Sequence, residues 1–147
     1  MIYQRQGRPA DAEVQWRAAL AEKPEFESAW LGLEDLYVVQ GRWADLEALA
    51  SAMEKRPALA VQASIARARG HLGRKEFYSA KQLLQDLIAR KPNALRPRVL
   101  LSHILLQHGN DPDAAERALL DVLALDPQNA EAKSNLRVLR ENRNELH

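Results

Sequence analysis

Histidine is the residue type in this sequence best suited to chemistry near neutral pH, as a metal ligand or as a proton carrier. The four histidines are His71, His103, His108 and His147. His103 and His108 are five residues apart, which places them on different faces of a helix. A helical zinc site pairs histidines four residues apart. The spacing therefore does not predict a metal site, and structural or solvated histidines are the favoured interpretation.

Carboxylates occur in two settings with different implications. Five of them fall at predicted helix starts, where the helix dipole stabilises negative charge: Asp11, Glu13, Asp111, Asp113 and Glu116. Among these, Asp111 precedes Pro112 and is predicted to be an N-cap. Glu34 and Asp35 are adjacent and could form a paired-acid site for general acid–base catalysis. A polar helix residue beside an ordinary surface acid is the favoured interpretation of that pair.

Motifs that carry catalysis are missing from the sequence. It has no glycine-rich phosphate-binding motif and no order of serine, histidine and aspartate that predicts a nucleophile. It has no cysteine, which excludes disulfides and thiolate metal sites. We therefore predict a protein that is not an enzyme and that uses no cofactor and no metal.

The composition is that of a folded chain, with 46% hydrophobic and 28% charged residues among 147. Apolar runs all fall short of the roughly 18 residues that span a bilayer. The opening stretch MIYQRQGRPADAE lacks the apolar core of a secretory signal. These features predict a protein with no membrane span and a cytoplasmic location.

Structure-breaking residues recur with one period. Prolines and glycines alternate along the chain at Pro24, Pro57, Pro92 and Pro127 and at Gly7, Gly41, Gly73 and Gly109. Both sets repeat about every 34 residues, and the stretch LAEKPEFESA at 20–29 returns as LALDPQNAEA at 123–132. Apolar residues between the breakers follow i, i+3, i+4 spacing, as in Trp30, Leu33, Leu36 and Tyr37. This pattern predicts short helices rather than strands.

Each period thus predicts one helical hairpin, and stacked hairpins bury a continuous core. The fold class is predicted to be all-α, an α-solenoid of about four hairpins coiled into a right-handed superhelix. We expect a single domain over 1–147. Its predicted parts are a truncated repeat at 1–25, repeats at 26–58, 59–93 and 94–128, and a capping helix at 129–143. Because only Met1–Gln6 precedes the first glycine, we expect the chain to be a fragment of a longer protein.

The residues inside each period resemble the tetratricopeptide repeat, whose signature is W-x2-L-G-x2-Y, then A-x3-F, then P. Trp30-x2-Leu33-Glu34-x2-Tyr37 follows the first part. Three pairs follow the second part, each with its alanine 12 residues before a proline: Ala12-x3-Trp16, Ala80-x3-Leu84 and Ala115-x3-Leu119. Glu34 and Leu46 depart from the small residues usual at those positions. The register of the helix at 59–72 stays open, because Gly73 and Phe77 cannot both be aligned.

The resemblance implies a non-catalytic protein–protein interaction scaffold that binds a peptide or protein on its concave surface. First helices of the hairpins would line that groove. The residues carried over by register are Ser28, Leu31, Asp35, Val38, Val39, Arg96, Val99, His103, Leu106 and Gln107, with Glu131, Ser134 and Val138 on the last helix. An exposed apolar row rimmed by polar groups is a candidate binding surface. The alternative is that Leu31, Val38, Val99 and Leu106 pack against a neighbouring helix.

Charge is uneven along the chain. Residues 67–98 hold nine basic and two acidic side chains between acidic ends. This basic belt, represented by Arg67, Arg69, Arg74 and Lys75, could attract an acidic peptide or polyanion, or dock the acidic ends of a second copy. A solvated basic face is the simpler interpretation. Nucleic acid is not expected as a partner, because no aromatic residues interleave with the belt.

Two further hypotheses stand beside the scaffold. The tail LLDVLALDPQNAEAKSNLRVLR is similar to the repeat arrays that bacteria attach to glycosyltransferases or methyltransferases, so the chain could be a non-catalytic segment of a larger bacterial enzyme. Alternatively, apolar Ile2, Val14 or Trp16 at an open first hairpin could drive self-assembly into a homo-oligomer.

Overall fold

Helices form all the regular secondary structure in the computed structural model, which describes residues 9–145. The helices are α1 (Pro9–Glu22), α2 (Glu27–Gln40), α3 (Trp43–Glu54), α4 (Ala60–Gly73), α5 (Phe77–Arg90), α6 (Leu95–His108), α7 (Pro112–Leu125) and α8 (Ala130–Glu145), with a 3₁₀ turn at Pro57–Leu59. The prediction of an all-α chain of successive helical hairpins is confirmed. The expectations placed on Met1–Gln6, Ile2, Gly7 and His147 lie outside the described residues.

The helices group into two compact units, Met1–Glu76 and Phe77–His147. Within the first unit α1 packs on α2, α2 on α3 and α3 on α4, and α2 also contacts α4. Within the second unit α5, α6, α7 and α8 each pack on the next helix in the chain. Packing of consecutive helices is the arrangement predicted from the repeat. The repeat limits and the single domain proposed above remain predictions.

The core of the first unit lies where the apolar stripe of α2 was predicted. Trp30, Leu33, Leu36 and Tyr37 are all buried. They share the core with apolar side chains of α3 and α4: Leu46, Leu49, Ala50, Met53, Ala63 and Ala66. Burying one leucine-sized side chain stabilises a fold by about 1.5–3 kcal/mol. The stripe therefore accounts for much of the stability of this unit.

The turns show why the periodic glycines are needed, and the reasons differ between positions. Gly41 ends α2 in the left-handed conformation at φ 66°, and the N–H of Arg42 then donates to the Tyr37 carbonyl at 2.8 Å. Gly73 is the last residue of α4, in line with its predicted role as a breaker, but Lys75 rather than Gly73 takes the left-handed conformation. A Cβ at Gly73 would overlap the Trp43 ring. Gly73 is thus required for close packing.

The core of the second unit is built from α5, α6, α7 and α8. Its buried side chains include Leu84, Leu87, Ile104, Leu119, Val122, Ala132 and Leu136. The N-cap prediction for α7 is confirmed, because the Asp111 carboxylate accepts hydrogen bonds from the N–H groups of Asp113 at 3.0 Å and Ala114 at 3.1 Å. Such a cap stabilises a helix by about 1 kcal/mol.

A charged cluster ties α1 to the end of α2. The Glu13 carboxylate accepts hydrogen bonds from Arg42 at 2.6 Å, from Arg17 at 3.1 Å and from the Tyr37 hydroxyl at 3.2 Å. The Arg42 guanidinium contributes most to lowering the pKa of Glu13 from 4.5 to about 2. The folded state therefore holds Glu13 ionised at pH values where the unfolded chain protonates it.

This shift predicts a pH dependence of stability. A carboxylate with a lowered folded-state pKa stabilises the fold above pH 4.5, and that contribution is lost as the pH falls through about 2. We expect Glu13→Gln to lower the free energy of unfolding by about 1–2 kcal/mol at pH 7, allowing for solvent screening. The difference between wild type and variant should shrink between pH 4.5 and pH 2 in urea titrations. A difference that stays constant over this range would contradict the assignment.

Candidate functional site

A groove runs between α6 and α8 in the second unit, with a volume of about 330 Å³. From α6 it is lined by His103, Leu106 and Gln107, which share one helix face by their i, i+3, i+4 spacing. From α8 it is lined by Asn135, Val138, Leu139 and Asn142, spaced i, i+3, i+4, i+7. Three residues predicted for a groove on α6 are thus brought together with a matching face of α8.

The floor of this groove is apolar. Leu106 and Leu139 are half-buried and pack on the core that contains Leu119 and Leu136. Val138 lies above these two leucines and is 44% exposed. The core beneath holds the floor in place, while Val138 leaves apolar surface open to solvent.

Amide side chains border the floor on both sides. Gln107 comes from α6, and Asn135 and Asn142 come from α8. Within residues 9–145, none of these three amides hydrogen-bonds to another side chain or to the backbone. Each amide carries a carbonyl oxygen that accepts and an NH₂ group that donates. The groove therefore offers free donors and free acceptors next to an apolar floor.

A hydrogen bond joins the two helices at one end of the groove. It connects Nε2 of His103 to a carboxylate oxygen of Glu131 in the first turn of α8. When the imidazole is neutral, its N–H donates to the carboxylate. The contact positions the face of α6 against the face of α8.

The face of α8 that lines the groove differs slightly from the face predicted from the sequence. Val138 does line the groove, whereas Ser134 is absent from the lining and Asn135 and Asn142 take part. The sequence does contain a pattern that predicts the observed face. Asn135, Val138 and Asn142 follow i, i+3, i+7 spacing and therefore lie on one side of a helix. Of the remaining residues predicted on α6, Arg96 is half-buried and Val99 packs against the core.

The residues predicted for a groove in the first unit lie on α2. Ser28, Asp35 and Val39 are exposed, Leu31 is half-buried, and Val38 packs against the core. The Asp35 carboxylate accepts a hydrogen bond from Arg69 of α4 at 2.7 Å. The charge of Asp35 is thus compensated within the unit. Binding by these residues stays a prediction.

Three arginines of the predicted basic belt are also paired within the first unit. Arg67 contacts Glu47 and Glu54, Arg69 contacts Glu34 and Asp35, and Arg74 contacts Glu76. Lys75 occupies the left-handed turn after α4. These carboxylates compensate the charges of the three arginines. The role of the belt in binding stays a prediction.

In the part of the chain that the structure describes, no three His, Asp or Glu side chains come together as a metal site. The same residues contain no helix that combines the length and the apolar character needed to cross a bilayer.

Comparison with protein families adds one finding. A tetratricopeptide repeat model matches residues 71–139, from the last turn of α4 into α8. Residues 71–139 are a tetratricopeptide repeat region. The match includes both helix faces of the groove up to Leu139, and repeats of this family generally mediate protein–protein interaction. A search of curated proteins gave no match.

Proposed function

We propose that this chain binds a partner protein by holding an extended peptide segment of it in the groove between α6 and α8. The observation that carries the proposal is the combination of an apolar floor with three amides that have no partner within residues 9–145.

The amides suit the main chain of a peptide. An extended segment has N–H and C=O groups that are not paired within the segment, and a side-chain amide can pair with both kinds. Gln107 on one side and Asn135 and Asn142 on the other could therefore hold a backbone that lies along the groove. Alternate side chains of such a segment would point down to Leu106 and Leu139, which supplies the apolar part of the affinity.

The electrostatics favour a segment without strong charge. His103 is the only titratable side chain in the lining, and it is hydrogen-bonded to Glu131. Charge mainly tunes association rate and partner selection, so a groove of this kind selects by shape and hydrogen bonding. We propose a non-catalytic scaffold role on this basis. A bacterial, cytoplasmic setting, membership of a larger enzyme and self-assembly stay predictions.

The test uses a displayed library of random peptides selected on the full chain. We expect Val138→Asp to weaken binding of the selected peptides at least about 10-fold, because it places a charge next to the apolar floor. Val14→Asp is the matched control, since Val14 is an exposed valine of α1 outside the groove. Titration calorimetry with the best peptide measures both variants. Equal loss in both variants, or no loss in Val138→Asp, would count against the groove.

A further inference from the structure

A pocket of about 200 Å³ adjoins the groove between α6 and α8, called the peptide groove from here on, at the turn from α6 to α7. Leu106 and Leu139 line both the groove and this end pocket. Its other apolar walls are Leu105, Pro112 and Ala115. A peptide that lies along the groove therefore reaches the pocket with one of its side chains.

The C-terminal end of α6 is unusual in its open carbonyls. The helices α2, α4 and α7 each end with a backbone N–H that donates to a carbonyl of the last turn. After α6, Gly109 is extended at φ −90° and ψ 155°. Across residues 9–145, no backbone N–H donates to the carbonyls of Leu106, Gln107 or His108. These carbonyls are open acceptors at the negative end of the helix dipole.

Asp111 adds a negative charge to the wall of the end pocket. Its Oδ1 atom accepts hydrogen bonds from the N–H groups of Asp113 and Ala114. Within the described part of the chain, no basic side chain forms an ion pair with Asp111. Asp113 differs in this respect, because it pairs with Arg143 at 2.5 Å. The pocket thus combines open carbonyls with one carboxylate that has no ion-pair partner.

The basic side chain in the last turn of α6 is directed to another neighbour. The His108 ring stacks on the Phe77 ring of α5, with 3.9 Å between the ring centres. Neither His108 nor any other basic side chain of residues 9–145 lines the end pocket. Since the C-terminus of a helix favours a cation nearby, a cation supplied by a partner would meet these acceptors without competition from the chain.

We propose that the end pocket holds the side chain of a lysine in the peptide segment that binds the peptide groove. This inference rests on the proposed function and names the residue that the groove selects. The four-carbon stem packs on Leu106, Leu139 and Ala115, and the ammonium donates to the second oxygen of Asp111 and to the open carbonyls of α6. A cavity of about 150 Å³ holds benzene, so about 200 Å³ has room for this stem.

A compact ammonium suits these acceptors better than a guanidinium does. Arginine binds a carboxylate most strongly through two parallel hydrogen bonds, one to each oxygen. Oδ1 of Asp111 already accepts from two backbone N–H groups. An ammonium has three donors that can point to separate acceptors. Because the groove itself is nearly uncharged, the segment is expected to carry one lysine among uncharged residues.

The test starts from the peptides selected on the full chain whose binding is weakened by Val138→Asp. We expect these peptides to share a lysine at one fixed position. Titration calorimetry compares the best peptide with the same peptide carrying norleucine at that position, which keeps the stem and removes the charge. The norleucine peptide should bind about 5–10-fold more weakly, because the charge-assisted hydrogen bonds are lost.

Asp111→Asn is the matched protein variant. Asparagine caps a helix about as well as aspartate, so the variant keeps the N-cap of α7 and loses only the charge. We expect it to weaken binding of the lysine peptide about 5-fold and to leave binding of the norleucine peptide unchanged. Asp86→Asn is the control and should change neither, since Asp86 is an exposed aspartate of α5 outside the groove and the pocket.

Four results would overturn the lysine pocket and leave the groove in place: no shared lysine among the peptides that depend on Val138, equal affinity of the lysine and norleucine peptides, no effect of Asp111→Asn on the lysine peptide, or equal weakening of both peptides by it. If no selected peptide depends on Val138, the proposed function fails and the pocket with it. Should circular dichroism show that Asp111→Asn is unfolded, the norleucine comparison decides.

Discussion

Arg69→Leu is expected to lower the free energy of unfolding of the first unit by about 3–5 kcal/mol. The Glu34 side chain of α2 is 0% exposed, and its carboxylate lies 2.5 Å from the Arg69 guanidinium of α4. Removing the guanidinium takes away the cation that pairs with this buried carboxylate. A charge in that position costs far more than the pair itself contributes.

Arg67→Leu is the control, because it makes the same change two residues earlier on the same helix. Arg67 and Arg69 both have 22% exposed side chains, but the partners of Arg67, Glu47 and Glu54, are largely exposed. Breaking exposed ion pairs costs only about 0–1 kcal/mol. The comparison therefore isolates the burial of Glu34 from the loss of an arginine.

Urea titration followed by tryptophan fluorescence measures both variants. All three tryptophans, Trp16, Trp30 and Trp43, lie in the first unit, so their emission reports on it. The double variant Glu34→Leu/Arg69→Leu should recover most of the lost stability, because it removes the buried charge as well. Similar losses in Arg69→Leu and Arg67→Leu would show that Glu34 is better solvated than the structure indicates.

Leu119→Ala is expected to destabilise the second unit by about 2–5 kcal/mol. Leu119 of α7 is 0% exposed and packs with Val122, Ala132 and Leu136 where α7 meets α8. Truncation removes buried apolar surface and leaves a cavity that rigid helices close only in part. Because this core supports Leu106 and Leu139, the floor of the peptide groove should also lose order.

The neighbouring residue provides the control. Leu120 is 42% exposed, so Leu120→Ala makes the same chemical change at a position that faces solvent. We expect a cost below about 1 kcal/mol for it. Hydrogen exchange of amides in α7 and α8 measures both variants. Equal loss of protection would show that Leu119 does not occupy a packed core.

The fold was open to prediction because the determinants of a helical hairpin are local. The spacing of Trp30, Leu33 and Tyr37 predicts a helix face from a few residues, and Asp111 before Pro112 predicts a helix start. Prolines and glycines at regular intervals separate the helices, so the same helix pattern recurs along the chain. Periodicity and capping act within one or two helical turns, so a single sequence is sufficient to read them.

Other features depend on residues far apart in the sequence. The partners Glu34 and Arg69 are 35 positions apart, so the basic belt looked unpaired until the structure showed the carboxylates beside it. Gly73 ends α4 as predicted, but its close approach to the Trp43 ring, far earlier in the chain, could not be predicted. The lining of the groove by Asn135 depends on the rotation of α8 against α6, and a one-residue difference in register changes which side chains face it.

The packing of each helix on its neighbour in the chain also bears on folding kinetics. Contacts between consecutive helices have short sequence separation, and chains with low relative contact order fold in microseconds to milliseconds. During synthesis, α1 and α2 can pack as soon as both have left the ribosome, before the later helices exist. Few apolar side chains then stay exposed until a partner far along the sequence has been synthesised. A nascent chain whose consecutive helices pack on one another exposes little apolar surface to chaperones or to other nascent chains.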